Sequence, residues 1–187
     1  MIKLGLPLKT KRLTLRPYTM NDLDDLHDIQ SRPEVTRYLT FGARDSDQVR
    51  ESLQKRIQAA KLDDQGKDHS LALAVVLPET GTLIGDVVLF WTSKEHRQGE
   101  IGYIFHPDHG GKGYATEAAQ VMLRLGFEEL GLHRIVGRLN ARNVASARVL
   151  VRLGMRCEGQ FIQNQMIDGE WVDEVVYAIL EDEWRAR

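Results

Sequence analysis

The segment His106 to Gln120, "HPDHGGKGYATEAAQ", decides the reading of the chain. It brings together Gly110, Gly111 and Gly113, and the strand-like run "EIGYIFHP" leads into it, stopped by Pro107. A helix is expected after the glycines over Thr116 to Leu130, with Val121, Met122, Leu125 and Phe127 as much of its apolar surface. Strand, glycine turn and helix in that order make an anion site. The first N–H groups of a helix have no partner inside it, and the helix dipole adds partial positive charge there. Missing side chains let a phosphate approach those groups. The alternative is a loop that uses glycine only for tight turning. Two familiar phosphate loops fit poorly. A P-loop needs Ser or Thr directly after its lysine, whereas Gly113 follows Lys112; a dinucleotide fingerprint needs glycine where Thr116 stands.

Working outward, "RLTLRPY" at residues 12–18 alternates as a strand. Asn21 is a candidate cap for a helix carrying Leu23, Leu26 and Ile29, and Pro33 breaks the chain after it. Asp45 or Ser46 starts a second helix to about Leu62, with Val49, Leu53, Ile57 and Ala60 on one face; the polar loop "KLDDQGKD" follows. "HSLALAVVL", the turn "PETG" and "TLIGDVVLFW" read as a hairpin. Beyond the glycines come a buried-type strand "HRIVGRL", a helix in "NARNVASARVLVRLG" with Gly154 as its stop, and a closing hairpin around "IDGE". The fold class is α/β: a single mixed, mostly antiparallel sheet of about seven strands flanked by helices, in one domain over residues 1–187.

Composition narrows the function classes. The chain has 187 residues, 42% hydrophobic and 28% charged, as a water-soluble globular domain would. Net charge is −2 with no basic run, which disfavours nucleic acid as a partner. No apolar run is long enough to span a bilayer, and the N-terminal stretch is too broken by Lys, Arg and Pro for a signal peptide. The lone Cys157, expected in the core, fits a reducing cytoplasm. The scattered histidines, His69, His96, His106, His109 and His133, read as surface or turn residues, and no metal site is expected.

"GGKGYATEA" resembles the pyrophosphate loop of GNAT-fold N-acetyltransferases, which use acetyl-coenzyme A. That pattern opens with Gln or Arg; Gly110 stands there instead, and the resemblance implies that backbone contacts from Gly111, Gly113 and Ala115 would be unaffected. "LTLRPYTMNDLDDL", "NARNVASARVLVRLGMRCEG" and "IDGEWVDEVVYAIL" are similar to the first strand and helix, the asparagine-serine helix and the closing hairpin of the RimJ/RimL-like branch, which acetylates ribosomal-protein N-termini. The resemblance implies that "GYIF" splays from "IVGRL", leaving groups near Ile104 and Phe105 to bond the pantetheine arm as an added strand does. It also implies coenzyme contacts from Gly111, Lys112, Gly113, Ala115, Thr116, Asn140 and Asn143.

Acetyl transfer to an amine needs a neutral nucleophile, donors for the developing oxyanion, and a proton donor for the departing thiolate. Asn143 and Ser146 share a helix face, and the resemblance puts Ser146 near the coenzyme sulfur; helix capping by Asn143 and packing by Ser146 are the alternatives. Glu100 is the candidate base, its alternative being a solvent-facing strand residue. The resemblance implies that relatives can carry an acid in the penultimate strand near Gln163 to Gln165, where "QNQ" has none. Arg37, Tyr38, Phe41, Trp91 and Trp171 are candidates to line the acceptor cleft. The expected activity is direct transfer from acetyl-CoA to a primary amine, on a peptide N-terminus or a small molecule. A catalytically weak acyl-CoA-binding regulatory module on the same fold is the alternative. The protein is expected as a monomer or homodimer.

Overall fold

The computed structural model describes residues 5–58 and 70–187; the loop "KLDDQGKD", Ala60, Leu62 and His69 lie outside them. In chain order come β1 (Leu8–Lys9), β2 (Thr14–Arg16), α1 (Leu23–Gln30), α2 (Pro33–Thr36) and α3 (Ser46–Gln58). Then follow β3 (Ser70–Val76), β4 (Leu83–Ser93), β5 (Gln98–Phe105), α4 (Tyr114–Arg124), β6 (Arg134–Asn140) and α5 (Val144–Arg152). The chain closes with β7 (Arg156–Ile167), β8 (Glu170–Leu180) and α6 (Glu181–Arg185). Among the described residues, eight strands form one sheet in the order β1-β2-β3-β4-β5-β6-β8-β7. The two-residue β1 is the addition to the expected set. Neighbours are antiparallel except β5 and β6. No helix of the described residues is long and apolar enough to cross a membrane.

The period of two in β3 divides the core. Leu71, Leu73 and Val75 pack in the cluster that holds Ala118, Met122 and Leu150 of the later helices. Ala74 and Val76 join Tyr18, Leu26, Ile29, Val49 and Leu53 in a second cluster with α1 and α3. Helices therefore cover both faces of the sheet.

Several local expectations change. Asn21 is not the cap: the Thr19 backbone N–H donates to Asp22 at 2.8 Å, and a short 3-10 turn over Met20–Asp22 feeds α1. The helix after the glycines starts earlier, at Tyr114, and ends as a π-turn over Leu125–Glu129. Cys157 is exposed, because β7 is an edge strand with most of its residues open to solvent. β6 alternates between half-buried and buried residues from Arg134 to Gly137, and Arg138 after it is exposed. His106 is 8% exposed and its Nε2 lies 3.0 Å from Asp28 Oδ2, so it is neither a surface nor a free turn histidine.

The feature that positions the site lies between β5 and β6. β5 stays with β4 to its end, where Gly85 faces Phe105. It pairs with β6 only at Gln98–Arg134, Gly99–Ile135 and Glu100–Val136. β6 meanwhile stays with β8 as far as Asn140 opposite Glu174. The sheet thus opens after Glu100, as the resemblance implied. α5 covers β6 beside this opening, closely enough that a Cβ on Gly137 would come within 2.8 Å of Leu150 Cδ1.

β4 holds the other side of β5 equally tightly. A Cβ on Gly85 would lie 2.5 Å from the Ile104 carbonyl oxygen and 2.6 Å from the Phe105 ring. Because backbone stands in the way, Gly85→Ala is expected to destabilise the fold by about 1–3 kcal/mol. That corresponds to roughly 2–4 °C of Tm for each kcal/mol in a chain of this size. Thermal and urea unfolding check this; an unchanged midpoint would mean that the two strands relax freely.

Candidate active site

The glycine loop is shaped by two left-handed residues, Gly111 at φ 73° and Gly113 at φ 81°, the latter capping α4. Only glycine adopts this region without strain. A Cβ on Gly111 would meet nothing within 4 Å, so the concavity in front of it is open. Among the described residues, the amides of residues 111–116 donate to no backbone carbonyl. The Thr116 hydroxyl, in the first turn of α4, is buried without a partner. Free donors at the positive end of a helix are what an anion needs.

Arg12, which the sequence reading passed over, braces the loop. Its Nη1 donates to the Lys112 carbonyl at 2.9 Å, its Nη2 is 2.6 Å from Glu117 Oε2, and its guanidinium lies 4.7 Å from the Tyr114 ring centroid. The Lys112 ammonium donates to the Asp108 carbonyl at 3.0 Å and is exposed.

A cleft of 380 Å³ lies where β5 and β6 part. It brings together Glu100, Ile104, Asn140, Asn143 and Ser146 from the expected set, and adds Tyr103 and Glu174. Phe105, Gly111, Lys112, Gly113, Ala115 and Thr116 are not among its lining residues; they belong to the end of β5 and the loop beyond. Asn143 caps α5, its Oδ1 accepting from the Ser146 amide at 3.1 Å. Asn140 closes the turn before it, accepting from the Arg142 amide at 2.9 Å. Both still face the cleft, so capping and ligand contact are compatible.

The Ser146 hydroxyl donates to the Tyr103 hydroxyl at 2.9 Å, and Tyr103 donates onward to the Ser146 carbonyl at 2.9 Å. Burial pushes the Tyr103 phenol up to about 12, against the lowering effect of its Ser146 hydrogen bond, so it stays protonated at neutral pH. Burial likewise holds the Glu100 carboxyl above its ordinary value, with Arg138 pulling it down and Glu174 adding to the rise.

Glu174 is a buried acid beside "QNQ" that the sequence reading passed over. It lies on β8, 4% exposed, and accepts from Asn164 Nδ2 at 2.9 Å, Gln165 Nε2 at 2.8 Å and Arg138 Nη1 at 3.2 Å. A bulge in β7, with Gln163 at φ 47°, shifts the register so that both amides reach it. Its alternation within "WVDEVVYAIL" was the only available signal. Among the acceptor-cleft candidates, Tyr38 and Phe41 line the cleft, and Arg37, Trp91 and Trp171 do not. Trp91 packs against the core and Trp171 is exposed.

Residues 12–156 match the acetyltransferase (GNAT) domain family. The chain belongs to the GNAT acetyltransferase family. The uncharacterized N-acetyltransferase YnaD of Bacillus subtilis is 36% identical over 177 residues, which cover 95% of this chain and 98% of YnaD. A GNAT-family acetyltransferase structure from Bacillus anthracis superposes with a TM-score of 0.84 at 35% identity, covering 94% of this chain and 99% of that one. Spermidine N-acetyltransferase from Vibrio cholerae, solved with CoA and spermine, superposes with a TM-score of 0.77 at 25% identity, covering 94% and 99%.

The chain is therefore an acetyl-CoA-dependent N-acetyltransferase. The open glycine concavity, the orphaned Thr116 hydroxyl and the unpaired side of β5 fit such a co-substrate. Among the described residues, no group of three or more His, Cys, Asp or Glu is placed to hold a metal ion.

The raised Glu100 carboxyl has a consequence for stability. A carboxyl raised on folding contributes stability that is fully present below its unfolded pKa and is lost as pH rises through its folded pKa. At neutral pH the ionised Glu100 is held at a cost that glutamine does not bear. Glu100→Gln is expected to resist urea better than the parent near about pH 7, with the gain shrinking toward about pH 4. Equal midpoints at both pH values would contradict the burial of this charge.

Proposed function

We propose that residues 1–187 act as a single catalytic domain that passes acetyl from acetyl-CoA directly to a primary amine held in the same cleft, a peptide α-amine ahead of a small molecule. The observation that carries this is the opening after Glu100, which gathers an acid, a hydroxyl pair and an unpaired strand side in front of the glycine loop. The co-substrate supplies an activated acetyl thioester.

The amides from Gly111 to Thr116, including Gly113 and Ala115, with the Thr116 hydroxyl, hold the pyrophosphate, and Lys112 adds positive charge beside it. Gly110 gives no side-chain contact. The free groups near Ile104 and Phe105 bond the pantetheine arm as a partial added strand, and Asn140 and Asn143 line its path. Glu100 takes the amine proton through water; a carboxylate raised above its ordinary value suits that task. Ser146, whose hydroxyl donates to Tyr103 in the resting cleft, gives hydrogen-bond help to the departing thiolate by rotating that proton toward it. Glu174 is a positioning residue, sharing Arg138 with Glu100. Similarity to YnaD and to the spermidine enzyme supports amine acetylation, and the resemblance of the closing hairpin supports the peptide end of the range.

Two experiments test the reading. Gly113→Asp puts a negative charge into the phosphate loop beside Arg12 and strains its left-handed turn, and CoA affinity should fall at least about tenfold, ~1.4 kcal/mol. Calorimetry showing unchanged CoA binding in a folded variant would contradict the loop assignment. Ser146→Ala should lower kcat more than it weakens coenzyme binding, and Glu100→Gln should slow turnover most at acidic to neutral pH, where the amine is protonated. Parent rates in both across pH would leave proximity as the whole mechanism.

A further inference from the structure

A second cavity of 440 Å³ adjoins the acceptor end of the main cleft, sharing Phe41 and Arg56 with it. The two differ in charge. The main cleft is lined by three carboxylates, Asp86, Glu100 and Glu174, against Arg56 and Arg138. The adjoining cavity is lined by Arg44, Lys55 and Arg56 against the single carboxylate Glu51.

The partners of these cations differ as well. Arg56 is answered by Asp86, with Nε 2.6 Å from Oδ2. Arg44 pairs with no carboxylate among the described residues. Its Nη1 donates to two neutral acceptors, Gln30 Oε1 at 2.9 Å and Ser52 Oγ at 2.7 Å, and its guanidinium stacks over Phe41 at 3.7 Å from the ring centroid. Burial and then the charge of Arg56 disfavour its protonated form, and the charge of Asp86 offsets part of this. A half-buried guanidinium with two neutral partners and a cationic neighbour is stabilised by a bound anion. Hydrogen bonds and ring stacking also fix its planar fork, and a fixed fork recognises a carboxylate bidentately.

We infer that the cavity beneath Phe41 and Arg44 takes a carboxylate belonging to the acceptor, so that the preferred substrate bears both an amine and a carboxylate. This rests on the amine-acetylation reading above and narrows it. The amine end lies toward Glu100, and the carboxylate end reaches past Phe41 to Arg44. A polyamine would instead place a second ammonium among the three cations. Two sources share the chemistry: a peptide with an acidic residue next to its N-terminus, and a free amino acid.

The test measures kcat/KM on matched acceptors with the full chain and acetyl-CoA. One arm compares peptide amides carrying Glu or Gln at the second position; another compares free amino acids with their amides; spermidine is a third. The carboxylate form should be preferred at least about tenfold in one of the first two arms, which names the source. In Arg44→Gln that ratio should fall to near one, and Arg44→Lys should keep part of it. A ratio is internally normalised, so a general loss of activity does not mimic the result. Independently of turnover, calorimetry with succinate should show binding that Arg44→Gln abolishes. Amine acetylation without a carboxylate preference, a preference that survives Arg44→Gln, or spermidine outrunning every carboxylate acceptor would overturn the inference and leave the proposed activity standing. If no amine is acetylated, the activity reading falls, and succinate binding alone decides the site: loss in Arg44→Gln upholds it, and absence of binding overturns it.

Discussion

The parting of β5 from β6 after three paired positions is the constraint from which the site follows. Each strand is committed elsewhere: β5 to β4 as far as Phe105, β6 to β8 as far as Asn140. A parallel pair inside a mostly antiparallel sheet needs a long crossover, and here that crossover is the glycine loop and α4. The same geometry therefore creates an unpaired strand side and delivers a helix N-terminus just past the strand's end. Tyr103 spans the opening by bonding to Ser146 at the start of α5, so the gap has a fixed width without being closed.

The cleft is electrostatically costly. Glu100 and Glu174 are brought close in a partly dry site and share one guanidinium, Arg138. Glu174 has its oxygens satisfied by two side-chain amides and Arg138, whereas Glu100 has only the longer 3.5 Å contact with Arg138. The two carboxylates thus sit in different surroundings, and burial raises the Glu100 carboxyl above its ordinary value. At the other end Asp86 neutralises Arg56 and leaves Arg44 on neutral partners, so the lining grades from acidic in the cleft to basic in the adjoining cavity.

Much of this was legible in the sequence where local rules act alone. The order of strand, glycine turn and helix, the asparagine cap of α5, the Gly154 stop and the Asp168–Gly169 turn all depend on residues close in the chain. Less legible were features made by residues far apart. Arg12 reaches Lys112 and Glu117 across the fold, and nothing in "RLTLR" marks it. Glu174 sits in an alternating strand, and only the β7 bulge identifies its partners. Cys157 looked like a core residue because strand alternation does not say which strand lies at the edge. His106 is buried and meets Asp28 from far along the chain, a relation without a local signal.

The central claim is that the opened side of β5 and the glycine loop receive the coenzyme. Amide hydrogen exchange with and without CoA tests it most directly, because unpaired N–H groups exchange quickly until a ligand bonds them. The account predicts that CoA slows exchange in residues 101–105 that do not bond to β4, and in residues 111–116, while β3 is unchanged. CoA binding that leaves both segments exchanging as before would contradict it.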